Sequence, residues 1–273
     1  MENPVTVVSA KPDSLATYLQ KVWSNRSLIG VLAKREIELK YAHMWLGMGW
    51  VLAQPLLHLV IYSIFFGYIL QIQTFDYPYF LFVFSGLVVW NLFSQVFSSS
   101  GMVLLSNRDL ITKSSFPKII FAFTKALVAC IENTALILFF AAVLMVFKPP
   151  FLWQLVLFPL AILWSLILGL AAGILVSSLS YIKRDLAFVS PQFIGLLIWI
   201  TPVFYPVSIV PNHLQKFLFI NPVTANLDFL RWTVGLNPNL NHFSIIGLSI
   251  TFALVTLAIF LFKKAEYDVA EKI

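Results

Sequence analysis

Long apolar runs, separated by short polar segments, dominate the pattern along this 273-residue chain. The runs that are long enough to cross a bilayer cover residues 44–70, 79–105, 118–147, 151–179, 186–207 and 243–262. Lipid offers no hydrogen-bond partner to backbone polar groups, so each run is predicted to be helical. The pattern predicts an all-α polytopic membrane protein, with six transmembrane helices forming one domain over residues 44–262.

The polar segment 1–43 is predicted to lie in the cytoplasm and to contain a helix over residues 14–43. The apolar positions that share one face of this helix are Leu28, Val31, Leu32 and Leu39. Arg35 interrupts that face, so the amphipathic pattern is imperfect. We expect an interface helix lying on the membrane surface; a solvated helix ahead of the membrane is the alternative.

The segment 208–242, between the last two runs, combines prolines with apolar clusters. Its helix-breaking pair Asn221–Pro222 is predicted to end one helix and to begin the next. We expect two short external half-helices that lie at the outer membrane interface or dip into it. Trp232 is expected to anchor them at the level of the lipid headgroups.

Positive charge is concentrated in alternate segments between the runs. Most of the 18 Lys and Arg residues lie before the first run or after the second, fourth and sixth. The opposite loops hold only Lys148, Lys216 and Arg231. The positive-inside rule then places both termini in the cytoplasm, including a tail over residues 263–273, and requires an even number of spans.

Composition strengthens the membrane assignment. Hydrophobic residues make up 60% of the chain and charged residues 11%, with a mean hydropathy of +0.88. A soluble domain carries about a quarter charged residues, so the soluble class is excluded. The single cysteine, Cys130, lies in an apolar run and is interpreted as a small packing residue.

The chain lacks the motifs of ATP binding and of metal or serine hydrolysis. It contains no GxxxxGK[S/T], HExxH, CxxC or GxSxG pattern. Its four histidines are scattered, so no metal site and no cofactor are expected in this chain. A membrane enzyme acting on lipid-linked sugars would need clustered carboxylates, and Asp109, Asp185 and Glu266 are dispersed. We therefore expect a transport subunit rather than an enzyme.

Two charges fall inside the third run, Lys125 and Glu132, on nearly the same helix face. Either they form a relay or gate, or Lys125 extends toward the cytoplasm while Glu132 pairs with a neighbouring helix. The second interpretation is preferred. An ion-coupled carrier usually has more intramembrane acids, so that class is a remote alternative and the energy source is expected elsewhere.

Aromatic residues make up 16% of the chain, and three groups of them lie within the runs. These groups are Tyr62, Phe65 and Phe66; Trp90, Phe93 and Phe97; and Trp199, Phe204 and Tyr205. Most of these residues fit lipid-facing belts and helix packing. The alternative is that some line a passage in which sugar rings stack on aromatic faces.

The loop after the second run, residues 107–117, reads NRDLITKSSFP. Asn107 can cap a short helix through Asp109, Leu110 and Ile111, and Pro117 suits the first turn of the next span. A short amphipathic helix of this kind can dock into a groove on a soluble partner.

Several segments, in order along the chain, resemble ABC-2-type polysaccharide export permeases. KREIELKYAHMWLGMGWVLAQPL, residues 34–56, resembles the start of that family's first span, and NRDLITKSSFP resembles its coupling helix. Lys183–Arg184–Asp185 and TPVFYP, residues 201–206, resemble its fourth–fifth loop and fifth span. NPVTANLDFLRW, residues 221–232, resembles its external half-helices, and FKKAEYDVAEKI resembles its cytoplasmic tail.

The resemblance implies a homodimer of permeases in the bacterial inner membrane, bound to two cytoplasmic ATP-binding subunits that carry ATP and Mg. It also implies export of lipid-linked polysaccharide, with O-antigen expected as the cargo. Capsular polysaccharide, teichoic acid, and a drug or lipid are the alternatives. Membrane lipids are the other expected partner, and no nucleic acid is expected.

The resemblance also assigns expected roles to residues. Contact with the ATPase is expected at Asn107, Arg108, Asp109, Leu110, Ile111, Lys113, Phe116, Pro117, Lys183, Arg184 and Asp185. A gate at the interface helix is expected at Lys34, Arg35, Glu36 and Tyr41. The implied polymer path is lined by the three aromatic groups.

Overall fold

A computed structural model describes residues 14–271 except 43, 73, 75–76, 107–115 and 148–152. This part of the chain is helical, with turns and short irregular links and no β-strand among the described residues. The prediction of an all-α membrane protein is confirmed.

Eleven α-helices occur in the described ranges, connected by shorter helical segments. They are α1 Leu15–Ser24, α2 Arg26–Tyr41, α3 Gly49–Tyr62, α4 Tyr79–Gly101, α5 Val103–Ser106, α6 Ile119–Phe147, α7 Phe158–Ser180, α8 Asp185–Ile200, α9 Asn212–Leu218, α10 Pro222–Thr233 and α11 Ser244–Glu271. Helix α3 continues as a π-helical segment, Ser63–Ile69, and 3₁₀ turns cover Trp153–Leu157 and Val207–Ile209.

Five helical segments are long and apolar enough to cross a membrane. They are Gly49–Ile69, Tyr79–Gly101, Ile119–Phe147, Trp153–Ser180 and Ser244–Glu266. Five of the six predicted spans are thereby confirmed as apolar helices of spanning length. The predicted span 186–207 contains α8, which has 16 residues and ends at Ile200. The chain then turns through residues 201–205, since Pro202 and Pro206 cannot continue a regular helix.

Helix α4 lies at the centre of the bundle, with most of its side chains buried. It approaches α7 closely at Gly169 and Gly173, which are spaced four residues apart. A Cβ atom added to Gly169 would lie 2.7 Å from the carbonyl oxygen of Phe93, and one added to Gly173 would lie 2.7 Å from that of Phe97. Small residues at this spacing let two membrane helices touch through their backbones.

The single helix predicted over 14–43 is wrong in one respect, because the structure has two helices that meet at Asn25. Helix α2 packs along α6 and buries Ala33. On its predicted apolar face, Leu28 and Leu32 are half-buried while Val31 and Leu39 remain exposed. The bundle therefore covers only part of that face.

The predicted pair of short helices between the last two runs is confirmed as α9 and α10. The first of them ends at Leu218. Asn221 caps the start of the second, since its side-chain oxygen accepts a hydrogen bond from the Val223 N–H at 3.1 Å. Pro222 then begins α10 without losing a hydrogen bond. Helix α10 packs against α4, α7 and α11, and most of its side chains are buried. The segment thus dips into the bundle.

The bundle has two chemically distinct ends. At one, the Tyr18 hydroxyl donates to Glu266 Oε2 at 2.6 Å, and the Lys118 N–H donates to Glu266 Oε1 at 2.7 Å. Helix α1, the start of α6 and the end of α11 therefore share this end, which we call the terminal end. Helices α9 and α10 occupy the opposite end, where Ser244 at the start of α11 donates to Asp228 at 3.0 Å. We call this the half-helix end.

Candidate functional site

Glu132, in the third span, is completely buried and lies at the centre of a polar cluster. Lys40 Nζ of α2 lies 2.8 Å and 3.0 Å from its two carboxylate oxygens. The Tyr41 hydroxyl donates to Oε1 at 2.6 Å, and Gln95 of α4 donates to Oε2. Asn133 in turn donates to Gln95 Oε1 at 2.6 Å. Every carboxylate oxygen therefore has a partner, as a buried charge requires.

A second ion pair joins the same two helices. Lys125 Nζ of α6 lies 2.5 Å from Glu36 Oε1 of α2, with side chains 22% and 30% exposed. Helix α2 thus contributes Glu36 and Lys40, which pair with Lys125 and Glu132 of α6. We call this arrangement the α2–α6 clamp, made of Glu36, Lys40, Tyr41, Lys125 and Glu132.

The clamp bears on the two interpretations of the charges in the third run, and a relay or gate stays a prediction. Glu132 pairs with a neighbouring helix, as the preferred interpretation predicted. Lys125 does not extend freely from the bundle, because it ends on Glu36. Burial, together with the hydrogen bond to Glu132, raises the pKa of the Tyr41 phenol above its usual value. Tyr41 therefore stays a donor at neutral pH.

The expected gate residues divide between the clamp and the surface. Glu36 and Tyr41 belong to the clamp. Lys34 makes only an exposed contact with Glu38, at 3.9 Å. Arg35 is exposed and lines a cavity of about 470 Å³ between α2 and α6, whose wall combines charged and apolar side chains.

Three members of the polar cluster were missed from sequence: Lys40, Gln95 and Asn133. Gln95 and Asn133 were visible as polar residues inside apolar runs, which is the usual sign of interhelical hydrogen bonding. Lys40 had no such sign, because several other lysines precede the first span.

A second buried charge, Arg231, lies at the half-helix end and is 2% exposed. Its guanidinium donates to the carbonyl oxygens of Pro202 at 2.8 Å, Val203 at 3.0 Å and Phe82 at 3.3 Å, and to Ser85 Oγ at 3.2 Å. Its Cζ atom lies 3.5 Å from the centre of the Phe82 ring. Two of these carbonyls, those of Pro202 and Val203, lie just after α8 ends, so Arg231 satisfies backbone acceptors that are outside a helix there. Arg231 therefore lies in one of the short helices predicted for the segment 208–242, with its side chain buried in the bundle.

Asp228 lies one turn before Arg231 on α10 and is also buried. Its carboxylate accepts hydrogen bonds from Asn237 Nδ2 at 2.9 Å, the Asn241 N–H at 2.9 Å and Ser244 Oγ at 3.0 Å. Burial raises the pKa of Asp228 despite these bonds. Burial also lowers the pKa of Arg231, to about 9, with Asp228 opposing the change, so the guanidinium is charged at neutral pH.

Two of the predicted aromatic groups meet at Phe204, which is 1% exposed. Its ring centre lies 4.3 Å from that of Tyr62, 5.5 Å from Phe66 and 5.4 Å from Trp199. Phe65 adjoins Phe66 at 5.2 Å. The structure therefore brings aromatics of the first and fifth predicted spans into one cluster, and Phe65 and Trp199 are half-exposed at its edge.

The third aromatic group is separate. Trp90, Phe93 and Phe97 are at most 6% exposed and pack in the core around α4, as the helix-packing interpretation describes. The Tyr205 hydroxyl donates to the Ile200 carbonyl oxygen at 2.8 Å and caps the end of α8. An aromatic polymer path stays a prediction, and the exposed edges of Phe65 and Trp199 are its best candidates.

The expected ATPase contact lies only partly within the described residues. Asn107, Arg108, Asp109, Leu110, Ile111 and Lys113 lie outside them. Phe116 packs on Phe121 with ring centres 5.5 Å apart, and Pro117 is buried beside it. Lys183, Arg184 and Asp185 are exposed at the start of α8. The described parts of the expected contact therefore lie at the terminal end, where Phe116 and Tyr181 pack against the same apolar cluster as Tyr18.

Comparison with known proteins gives a consistent picture. A family model described as "ABC-2 type transporter" matches residues 27–233, which include the clamp and α10. The chain is 29% identical to the O-antigen export system permease protein RfbA of Myxococcus xanthus over 210 residues, 76% of this chain and 80% of the relative. It is 26% identical to the protein of that name from Klebsiella pneumoniae over 248 residues, 89% of this chain and 94% of the relative. It is 25% identical to the polysialic acid transport protein KpsM of Escherichia coli over 209 residues, 76% and 80% of the two chains.

Proposed function

The chain belongs to the ABC-2 type transporter family, and on that premise we propose that it is the permease of an ATP-driven exporter of lipid-linked polysaccharide, with O-antigen as the cargo. The similarity to the Klebsiella pneumoniae permease over 89% of this chain carries the proposal, since it includes the clamp and both half-helices. The similarity to KpsM favours a second candidate cargo, a capsular polysaccharide.

Energy comes from elsewhere in the complex. The chain has no phosphate-binding loop, so ATP and Mg bind to two separate cytoplasmic subunits. Those subunits dock at the terminal end, on the segment around Asn107–Pro117 and on Lys183–Asp185. The exposure of Lys183, Arg184 and Asp185 supports this placement.

The chain crosses the membrane six times, with α8 as the fifth span. The contact between Tyr18 and Glu266 supports this count, because an even number of crossings brings α1 and the end of the last span to the same side, where they can meet. Five crossings would separate those ends. The concentration of Lys and Arg in segments at the terminal end supports a cytoplasmic position for both termini in the bacterial inner membrane.

Two copies form the complete permease. Exposed apolar side chains on α3 and α8 support association through these helices, for example Val60 and Ile64 on the first span and Phe193 and Leu196 on α8. The aromatic edge formed by Phe65 and Trp199 adjoins this surface. A polymer passing between the two copies would meet it, and ring stacking would hold the polymer weakly enough to let it slide.

Motion reaches the spans through the clamp. Closure of the two ATPases around ATP displaces the docking segments at the terminal end. Helix α2 is tied to α6 by two ion pairs, so the two helices move together. The cavity at Arg35 lies beside this contact and has charged residues in its wall, so the charged head of a lipid-linked cargo would first meet the permease there.

Reconstitution tests the proposal. Proteoliposomes holding this chain, its genome-neighbour ATPase and a fluorescent lipid-linked O-antigen are expected to move the polymer across the bilayer only when ATP is present. The readout is loss of fluorescence quenching by an antibody on one side. An ATPase with its phosphate-loop lysine replaced is the control. ATP-driven movement with this chain alone would contradict the proposal that separate subunits hydrolyse ATP. Movement of a capsular polymer but not of O-antigen would show that capsular polysaccharide is the cargo.

Cysteine labelling tests the six-span topology. In a Cys130→Ser background, Lys183→Cys and Lys264→Cys are expected to react with an impermeant maleimide only from the cytoplasmic side. Asn239→Cys is expected to react only from the outside. All three positions are exposed in the structure. Labelling of positions 183 and 264 from opposite sides would refute the even number of spans.

A further inference from the structure

A cavity of about 390 Å³, lined by both polar and apolar side chains, opens at the half-helix end, between α9, α10 and the segment that leads into α11. Its lining includes the polar side chains of Ser208, Gln215, Thr224, Asn237, Asn239 and Asn241. Ser208 and Asn239 are exposed at its rim, so the cavity communicates with the outside of the bundle. No local sequence pattern indicates this cavity, because its lining residues come from five separate stretches of the chain.

The two charged residues on the cavity wall are already occupied. Arg231 donates to three carbonyl oxygens and one hydroxyl, and Asp228 accepts three hydrogen bonds. Their charges are opposite and lie one turn apart on α10. A charged ligand would have to compete with these hydrogen bonds in order to pair with Arg231 or Asp228. An uncharged ligand requires no ion pair with either residue.

The cavity wall also holds an unsatisfied polar group. Thr224 is 1% exposed, and its hydroxyl has no hydrogen-bond partner within the described part of the chain. A buried hydroxyl without a partner costs free energy, so such a group is rare and calls for a ligand or water. The side-chain amide of Asn237 donates to Asp228, and the side-chain carbonyl of Asn241 accepts from the Phe243 N–H. The side-chain carbonyl of Asn237 remains as an acceptor, and the side-chain NH₂ of Asn241 remains as a donor.

Size distinguishes a ligand from a single bridging water. One water occupies about 30 Å³, far less than the cavity, whose volume falls at the lower end of the range of about 300–1,000 Å³ for small-molecule sites. Amides and hydroxyls both donate and accept, which suits alcohol groups. An acyl chain would leave Thr224 unpaired. These features favour a compact, uncharged ligand with several hydroxyl groups.

We propose that this cavity is a binding subsite for one uncharged sugar residue, held by Thr224, Asn237, Asn239 and Asn241. Its place in transport rests on the proposed function: the subsite holds a sugar unit of the polymer as it leaves the permease. Binding of a free sugar does not depend on that role.

Saturation-transfer NMR tests the subsite on the full chain in nanodiscs, with methyl glycosides of glucose, galactose, mannose and N-acetylglucosamine as probes. At least one glycoside is expected to receive saturation from the protein. Thr224→Val and Asn239→Ala are each expected to weaken its binding about threefold to tenfold, as loss of one hydrogen bond predicts. Asn239 is exposed, so its replacement leaves the fold intact. Thr134→Val, at an exposed position on α6, is the matched control and keeps wild-type binding.

Two results would overturn the subsite: no saturation transfer to any of the glycosides, or transfer that both variants leave unchanged. The reconstituted exporter separates this failure from failure of the proposed function. If the wild-type complex moves polymer but binds no glycoside, the subsite is wrong and the exporter stands. If glycosides bind in a Thr224-dependent way but no polymer moves with ATP, the proposed function is wrong and the subsite stands.

Discussion

At the scale of single residues, two buried charges are neutralised in different ways. Glu132 is held by a lysine and a phenol from another helix, so its environment depends on where α2 lies. Arg231 is held mainly by backbone carbonyls, which belong to the fold itself. The first arrangement can open when α2 moves, whereas the second needs α8 and α10 to separate. The clamp is therefore the more adjustable of the two.

Replacing Lys40 tests the clamp. Lys40→Met leaves the buried Glu132 carboxylate without its counter-charge and is expected to destabilise the protein by about 1–3 kcal/mol, toward the lower value because Lys40 is itself 44% exposed. The measurement is the thermal unfolding midpoint in detergent. Lys40→Met combined with Glu132→Met is expected to recover part of the loss, since a buried pair replaced by apolar groups is often neutral.

Lys34→Met is the matched control for this experiment. Lys34 and Glu38 are exposed, at 79% and 65%, and their pair contributes at most about 1 kcal/mol. Equal destabilisation by Lys34→Met and Lys40→Met would show that the clamp adds nothing beyond ordinary surface charge.

At the scale of elements, hydropathy located the helices well and their ends poorly. The five long spans follow directly from apolar length. Helix α8 ends at Ile200, although Val203 and Phe204 continue the apolar run. Buried positions favour apolar residues in helices and in turns alike, so hydropathy does not show where the helix ends. The break at Asn25 was missed for a related reason, since no proline or glycine marks it. Capping by Asn221 and the start at Pro222 were predictable because that chemistry is local.

The partners of polar side chains were the least predictable part. Gln95 and Asn133 indicate interhelical bonding, but their meeting with Glu132 depends on how α4, α6 and α2 pack. Likewise, Arg231 looks like a loop charge until α10 is known to enter the bundle. The glycine pair at Gly169 and Gly173 does carry a readable signal of close helix packing.

The contact between α4 and α7 can be tested at that pair. Gly169→Ala would place a Cβ atom 2.7 Å from a backbone oxygen and is expected to destabilise the protein by about 1–3 kcal/mol, because the two helices must separate. Gly195→Ala on α8 is the matched control, since nothing lies within 4 Å of its added Cβ. Higher helix propensity is expected to make the control neutral or up to about 1 kcal/mol more stable. The thermal midpoints of the two variants decide the matter, and equal midpoints would contradict close packing at Gly169.

At the scale of the whole molecule, the contact between Tyr18 and Glu266 joins the first described helix to the last. Burial, reinforced by the charge and hydrogen bond of Glu266, raises the pKa of the Tyr18 phenol above its usual value of 10.0. The folded protein therefore holds this proton more tightly than the unfolded chain does. The resulting stability is fully present below about pH 10 and is lost as the pH rises further.

This linkage gives a pH prediction. Above about pH 10, the free energy of unfolding of the wild-type protein is expected to fall by up to about 1.4 kcal/mol per pH unit from this one group, which is measured as a falling thermal midpoint. Tyr18→Phe is expected to be less stable at neutral pH and to show a shallower alkaline fall. Tyr68→Phe, where the side chain is 81% exposed, serves as the control and keeps the wild-type slope. Identical slopes for all three proteins would exclude a linked proton at Tyr18.

The same contact has a consequence for biosynthesis. Tyr18 and Glu266 are separated by 248 residues, so a ribosome synthesises the tyrosine long before the carboxylate that accepts its hydrogen bond. At about 5–20 residues per second, the interval is roughly 12–50 s. Throughout that time α1 lacks the Glu266 contact. Helix α1 can therefore make this contact only after the end of α11 has been translated. A prematurely terminated chain keeps its first helix undocked, where proteases can recognise and remove it.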